Sequence, residues 1–294
     1  MQEVKYKTLF QRGGKTEAKY EMIVSFDLDG VLMENPFGDH VFPAAVEKIL
    51  RMCREKNSHA GGEEIGPVPS KEDIWQVILD IHRTRLKAGD YKAYNWDEIV
   101  KEAADTLGVK GNIDIEKLVR ENCNPPAVKG YKDGKEFLKW LEKKKSVNEI
   151  AAITNGFNKY QAPVLQALSL EKYFDSIITP DKARAVKPDE EMFSSLKTGD
   201  EWLHVGDSVL MDILGASRVG AKTALVRRDL NEKLRSAAPG LRPQTEEGRN
   251  LLKKMAGHEA GLHGVEWNLD EIIPDLIVDD LRQLKKLDLL HNCW

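Results

Sequence analysis

Cysteine is scarce in this 294-residue chain: Cys53, Cys123 and Cys293 stand far apart, and no CxxC spacing occurs. A disulfide scaffold and a cysteine-based zinc site are thereby excluded, and free thiols in a reducing cytosol are expected. A strongly basic block is also missing. The 44 Lys and Arg are outnumbered by 48 Asp and Glu, giving a net charge of −4. Such a balance predicts no nucleic-acid surface. No apolar run approaches the roughly 20 residues that span a bilayer. The opening stretch MQEVKYKTLFQRGGKTEAKYE has no apolar core of a signal peptide. The expectation is a cytoplasmic globular protein that engages neither membrane nor nucleic acid.

Short apolar runs occur at 22–27, 149–154, 175–179, 202–207, 222–226 and 274–278. Most are continuous rather than alternating, as in strands covered on both faces. Helical patterns fall between them at 133–145, 159–170, 189–197, 209–219 and 279–288. Strand and helix in alternation predict an α/β fold: a Rossmann-like parallel sheet with helices on both faces. Ligands of such sheets bind at the carboxyl ends of the strands, where Asp27, Thr154 and Asp207 fall.

The alternation stops between the first two runs. Ser70 with Asp73, and Asn95 with Glu98, are spaced as capping boxes, Asp114 is placed to cap IEKLVREN, and Gly89 and Gly108 close two helices. Residues 33–128 are therefore expected to form an inserted all-helical cap domain, with 1–32 and 129–294 as the core. The polar stretch 229–272 interrupts the core as a surface excursion or an oligomer contact.

Four local patterns carry the chemistry. SFDLDG ends the first strand with Asp27 and Asp29, two residues apart and hence on one side, so that each carboxylate needs the other's charge compensated. ITNG ends the second with a hydroxyl, Thr154, then Asn155 and Gly156. VKPD places Lys187 before a helix, and VGDSVLMD separates Asp207 from Asp212 by five positions. In this order the four resemble the motifs of the haloacid dehalogenase-like (HAD) hydrolase superfamily, in the branch with a helical cap after the first motif. The resemblance covers roughly 21–32 and 147–228, with PDLIVDDL at 274–281.

The resemblance implies that Asp27 is the nucleophile, Asp29 the general acid and base, and Lys187 the charge stabiliser. Thr154, Asn155, Gly156 and Lys187 would hold the phosphoryl group, and Asp27, Asp29, Asp207 and Asp212 the metal set for Mg2+. Of these, Asp212 is expected to hold a metal-bound water or to brace Lys187 rather than to bind the metal directly. A hard cation with oxygen ligands suits this set. The expected activity is Mg-dependent hydrolysis of a small phosphorylated metabolite through an aspartyl phosphate. The dehalogenating members typically lack an aspartate at the position of Asp29, so phosphate chemistry is favoured. Phosphomutase and 2-haloacid dehalogenase are the enzymatic alternatives, and a non-catalytic phosphate-dependent regulatory protein is the alternative of another class.

Other resemblances are set aside. GGKT at 13–16 lacks the first glycine of a P-loop, and HEAGLH at 258–263 has its second histidine one place late for HExxH. It reads as surface loop. His204 reads as a packed core residue and HRTR as a solvated helix face, the alternative being that Arg83 or Arg85 reaches an anionic substrate tail. YKAYNW at 91–96 is able either to face the site or to seed the cap core.

Overall fold

The computed structural model describes residues 22–59, 67–196 and 201–286; the GGKT stretch and Cys293 lie outside these. Six strands form one sheet: β1 Met22–Phe26, β2 Val147–Ile153, β3 Ser176–Ile178, β4 Glu201–Gly206, β5 Lys222–Val226 and β6 Leu276–Val278. All neighbours are parallel, in the order β3-β2-β1-β4-β5-β6. Every residue of β1 is buried, which explains why its run is apolar rather than alternating. Phe26 is level with Ala152 on one side and Val205 on the other. Asp27, Thr154 and Asp207 therefore emerge together along the carboxyl edge. The chain builds outward from β1 in both directions, so the crevice between β1 and β4 is the point where strand order reverses.

Between β1 and β2 lie α1 Phe42–His59, α2 Lys71–Lys87, α3 Trp96–Thr106, α4 Ile115–Asn122 and α5 Lys132–Leu141. Ser70 and Asp73 form the expected capping box, and Asp114 caps α4 through Lys117 N–H. Asn95 does not cap α3. Its carboxamide oxygen is taken instead by Lys159 and by the Tyr160 hydroxyl, so a tertiary partner outcompetes the local one. The buried faces of α1, α2 and α3 belong to one apolar cluster that also holds Phe26 and Phe137.

Helix α6, Asn158–Ala167, follows β2. Two other expected helices are irregular. Residues 209–219 begin as a wide π-helical turn, Val209–Leu214, and end as Gly215–Arg218. The segment expected as a helix over 279–288 is a 3-10 helix, Leu281–Lys286. Its first groups are bonded sideways: Asp279 to Arg235 and Arg242, and Leu281 N–H to Asp133.

The excursion at 229–272 packs on the core. Its long helix, Glu246–His263, buries Leu252 and Ala256 against Val209, Leu210, Ile213 and Leu214 in a second apolar cluster. The HEAGLH stretch is thus not a surface loop. It forms the last turns of that helix, closed by Gly264 at φ +71°.

Candidate active site at the sheet's carboxyl edge

Lys187 organises the centre. Its ammonium, on a residue only 4% exposed, donates to Asp27 Oδ1 and to Asp212 Oδ1, both at 2.6 Å. Burial alone would push this lysine down, but the carboxylates of Asp212 and Asp27 hold it above its ordinary value and keep it charged. Asp212 is likewise buried, yet Lys187 and a bond from His204 hold its carboxyl below the usual range. Its second oxygen accepts the backbone N–H groups of Asp207 and Ser208, at 3.1 and 3.0 Å. Both Asp212 oxygens are thus taken up by protein donors, and the side chain ties Lys187 to the backbone of residues 207–208.

Asp27 and Asp207 are different. Among the described residues the Asp27 carboxylate has only the Lys187 bond, and burial raises it despite that cation. No protein donor reaches the Asp207 carboxylate among the described residues, and burial with the Asp212 charge pushes it up to about 7. Oxygens of Asp27, Asp207 and Asp212 lie within 4.8 Å of one another. This is an all-oxygen group with unbalanced negative charge, and it fits a hard divalent cation. Close approach is secured by Gly30, at φ +78°. A Cβ there would sit 1.9 Å from Asp207 Oδ2.

Asp29 faces the other way along the sheet. Its Oδ2 accepts Gln161 Nε2 of α6 at 3.1 Å, while its buried Oδ1 has no partner. Burial raises it to about 6, with Gln161 opposing. Thr154 Oγ1 accepts Gly156 N–H at 3.2 Å, which folds the turn after β2. Asn155 Oδ1 accepts the Lys187 N–H at 2.7 Å, tying that turn to the lysine loop. The structure thus gathers all eight expected residues around one cavity of about 690 Å³, its lining continued by Phe37, Phe42, Tyr94 and Trp96. YKAYNW does face the site. Arg85 pairs instead with Glu98 and Glu102, and Arg83 with Asp80.

Four supporting groups had no local signature. Gln161 is a helix residue like any other until β2 and α6 bring it to Asp29. Glu259 spans 51 positions to accept Ser208 Oγ–H at 2.6 Å, and it also accepts Leu210 N–H at 2.7 Å and Val209 N–H at 3.1 Å. With Ser208 Oγ accepting Met211 N–H, every backbone donor that opens the Asp212 helix is satisfied. Arg228 reaches back to the carbonyls of Gly30 and Val31 while paired with Asp133 at 3.0 Å, fixing the loop after Asp29. His204 is packed as expected, but it is also wired. Trp202 donates to Ser25 Oγ and Ser25 meets His204 Nδ1, leaving Nε2–H for Asp212 at 3.4 Å. Burial keeps this imidazole down and neutral.

The family model of the haloacid dehalogenase-like hydrolases matches residues 22–220. The chain belongs to this family. Among curated proteins, the HAD-like chain is 28% identical over 211 residues to a phosphoglycolate phosphatase of Pseudomonas fluorescens, covering 70% of this chain and 69% of that one. It is 22% identical to the N-acylneuraminate-9-phosphatase of Rattus norvegicus, covering 69% and 80%. Among solved structures, a HAD phosphatase from Thermococcus onnurineus superposes with a TM-score of 0.58 at 20% identity, covering 90% of this chain and 96% of that one. The L-2-haloacid dehalogenase of Xanthobacter autotrophicus superposes with a TM-score of 0.51, also at 20% identity, covering 92% and 99%. These two establish the fold. No helix among the described residues is long and apolar enough to cross a membrane.

Proposed function

We propose that this hydrolase is a magnesium-dependent phosphatase that cleaves a small phosphate monoester through an aspartyl phosphate on Asp27. The observation that carries the reading is the unequal pair at the tip of β1. Asp27 is held on the Lys187 ammonium at 2.6 Å, whereas Asp29 is tied to Gln161, raised to about 6 and left with one buried oxygen free. One carboxylate is oriented as a nucleophile, and the other is able to carry a proton near neutral pH.

Asp27 Oδ attacks phosphorus as the bond from phosphorus to the alcohol oxygen breaks, and Asp29 gives its proton to that oxygen. Asp29, now ionised, takes a proton from the water that attacks the acyl phosphate, releasing phosphate and restoring Asp27. Lys187, Thr154 Oγ and the N–H groups of the turn at 155–156 receive phosphoryl oxygens. Asp27, Asp207 and the Asp29 carbonyl would hold Mg2+, which supplies charge neutralisation between two anions. Asp212 keeps Lys187 and the Asp207 loop in place. Helices within 33–128 act as a cap over the core built on the six-stranded sheet, restricting entry to small substrates. The names of the curated relatives agree on phosphate ester hydrolysis and differ in the alcohol, which supports the reaction class more than any one substrate.

The test is phosphate release from a panel of phosphorylated metabolites, with and without Mg2+, beside Asp27→Asn. Loss of turnover on removal of Mg2+ and in the variant is expected. Undiminished release by Asp27→Asn overturns the nucleophile. Chloride release from a 2-haloacid, or isomerised sugar phosphate without net phosphate, overturns the phosphatase reading.

A further inference from the structure

Two ends of the cavity differ in chemistry, and sheet order says which end receives the alcohol. At the β5 end stands Arg227, bonded to Asp229 at 2.8 Å; the long helix adds His258 and His263 to the lining, His263 on the side of His82, which packs 4.7 Å from Trp96. At the β2 end stand aromatic rings. The Tyr94 hydroxyl meets Asn155 of the turn after β2 at 3.3 Å, and Tyr160 of α6 packs edge-on against Phe37 at 5.8 Å. Phe42 continues the wall, 5.4 Å from Phe37 and 4.6 Å from Trp96. Phe42, Tyr94 and Trp96 are only partly buried, and all three line the cavity.

Asp29 decides between the ends. Its bond to Gln161, the residue after Tyr160, turns it toward α6 and the β2 end, whereas the group fit for a cation, Asp207, sits on β4. The oxygen that Asp29 protonates belongs to the leaving alcohol, so the alcohol extends along the rings. A carboxylate placed there would be desolvated with no free lysine or arginine beside it, and burial holds the nearby His263 down, which disfavours its cationic form. Among the described lining residues, the only lysine or arginine besides Arg227 is Lys187, which is engaged by Asp27 and Asp212. Aromatic walls favour offset or edge-on contact with another ring. A cavity of about 690 Å³ also falls in the range that encloses ligands much larger than a two-carbon acid.

We propose that the substrate is the phosphate ester of a primary alcohol bearing an uncharged aromatic or heteroaromatic ring, which packs on Phe42, Tyr94 and Trp96. This rests on the phosphatase reading above. The probes are benzyl phosphate, ethyl phosphate and 2-phosphoglycolate, all esters of alkyl alcohols, so that leaving-group chemistry is similar and the ring or charge is the variable. With Mg2+, kcat/KM for benzyl phosphate is expected to exceed that for each of the other two by at least about tenfold, the equivalent of one good apolar contact. Trp96→Leu is expected to narrow the benzyl to ethyl ratio by about tenfold. Equal turnover of all three esters, or preference for 2-phosphoglycolate, overturns the ring assignment and leaves the phosphatase reading standing. No phosphate release from any ester overturns both. The wild-type ratios need no variant to fold.

Discussion

The tips of β1, β2 and β4 and the helix at 246–263 support the same cavity, but they do so by opposite means. The tips present side chains that face the cavity directly: Asp27, Asp29, Thr154 and Asp207 leave consecutive edges of a buried sheet. The helix also lends His258 and His263 to the wall, but its strongest link is to the loop that follows β4. Its Glu259 accepts three donors of residues 208–210 and so holds the turn between Asp207 and Asp212. Residues meant to react must be placed where the chain leaves a strand, and that leaves a pattern within a few residues. Residues that hold others in place need only be near in space.

The contrast is sharpest under substitution. Asp27→Asn is expected to lower kcat by at least about 10⁴-fold, as for other enzyme nucleophiles, with an unchanged far-UV spectrum. Glu259→Ala is expected to do something else. Two helix-opening N–H groups lose their acceptor, at a cost of about 1–3 kcal/mol in urea unfolding. The Mg2+ concentration for half-maximal activity rises about tenfold while kcat at saturating Mg2+ changes far less. A Glu259→Ala enzyme with wild-type Mg2+ dependence would make the helix a bystander.

The sheet was readable because its strands are buried on both faces, so six apolar runs fell within about two residues of the observed strands. Of the eight residues gathered around the cavity, Asp27, Asp29, Thr154, Asn155, Gly156 and Asp207 were readable for the reason just given, since each lies at or within three positions of a strand's end. Gln161, Arg228 and Glu259 were not, because they reach Asp29, Gly30 and residues 208–210 across 49 or more positions, 132 for Gln161. HEAGLH misled for a related reason: the polar, glycine-containing stretch hides a helix whose stability comes from packing Leu252 and Ala256 on residues 209–214. Asn95 failed as a cap because Tyr160 and Lys159, 64 or more positions away, compete for its oxygen.

The acidic centre also predicts a pH effect. Burial raises Asp29 to about 6 and Asp207 to about 7, against about 4 in an unfolded chain. Their neutral forms are favoured on folding, so the stability these two groups contribute is fully present below about pH 4 and is lost as pH rises through 6 and 7. In EDTA the urea midpoint is expected to fall between pH 5 and pH 7.5, and Asp207→Asn to flatten that slope. A midpoint that does not move would show that the cluster is solvated. The smallest effect is expected at Arg83, whose exposed pair with Asp80 at 3.6 Å lies on the solvent face of α2. Arg83→Ala should change neither kcat/KM nor the unfolding midpoint measurably.

The central claim is a covalent bond between Asp27 and phosphorus, and it is directly accessible. Turnover is quenched in acid, the acyl phosphate is reduced with borohydride, and peptides are read by mass spectrometry. Homoserine at position 27, absent when Mg2+ or ester is omitted, is the expected result. Turnover with no reduced residue at 27, or with the label on Asp29 or Asp207 instead, would contradict the account.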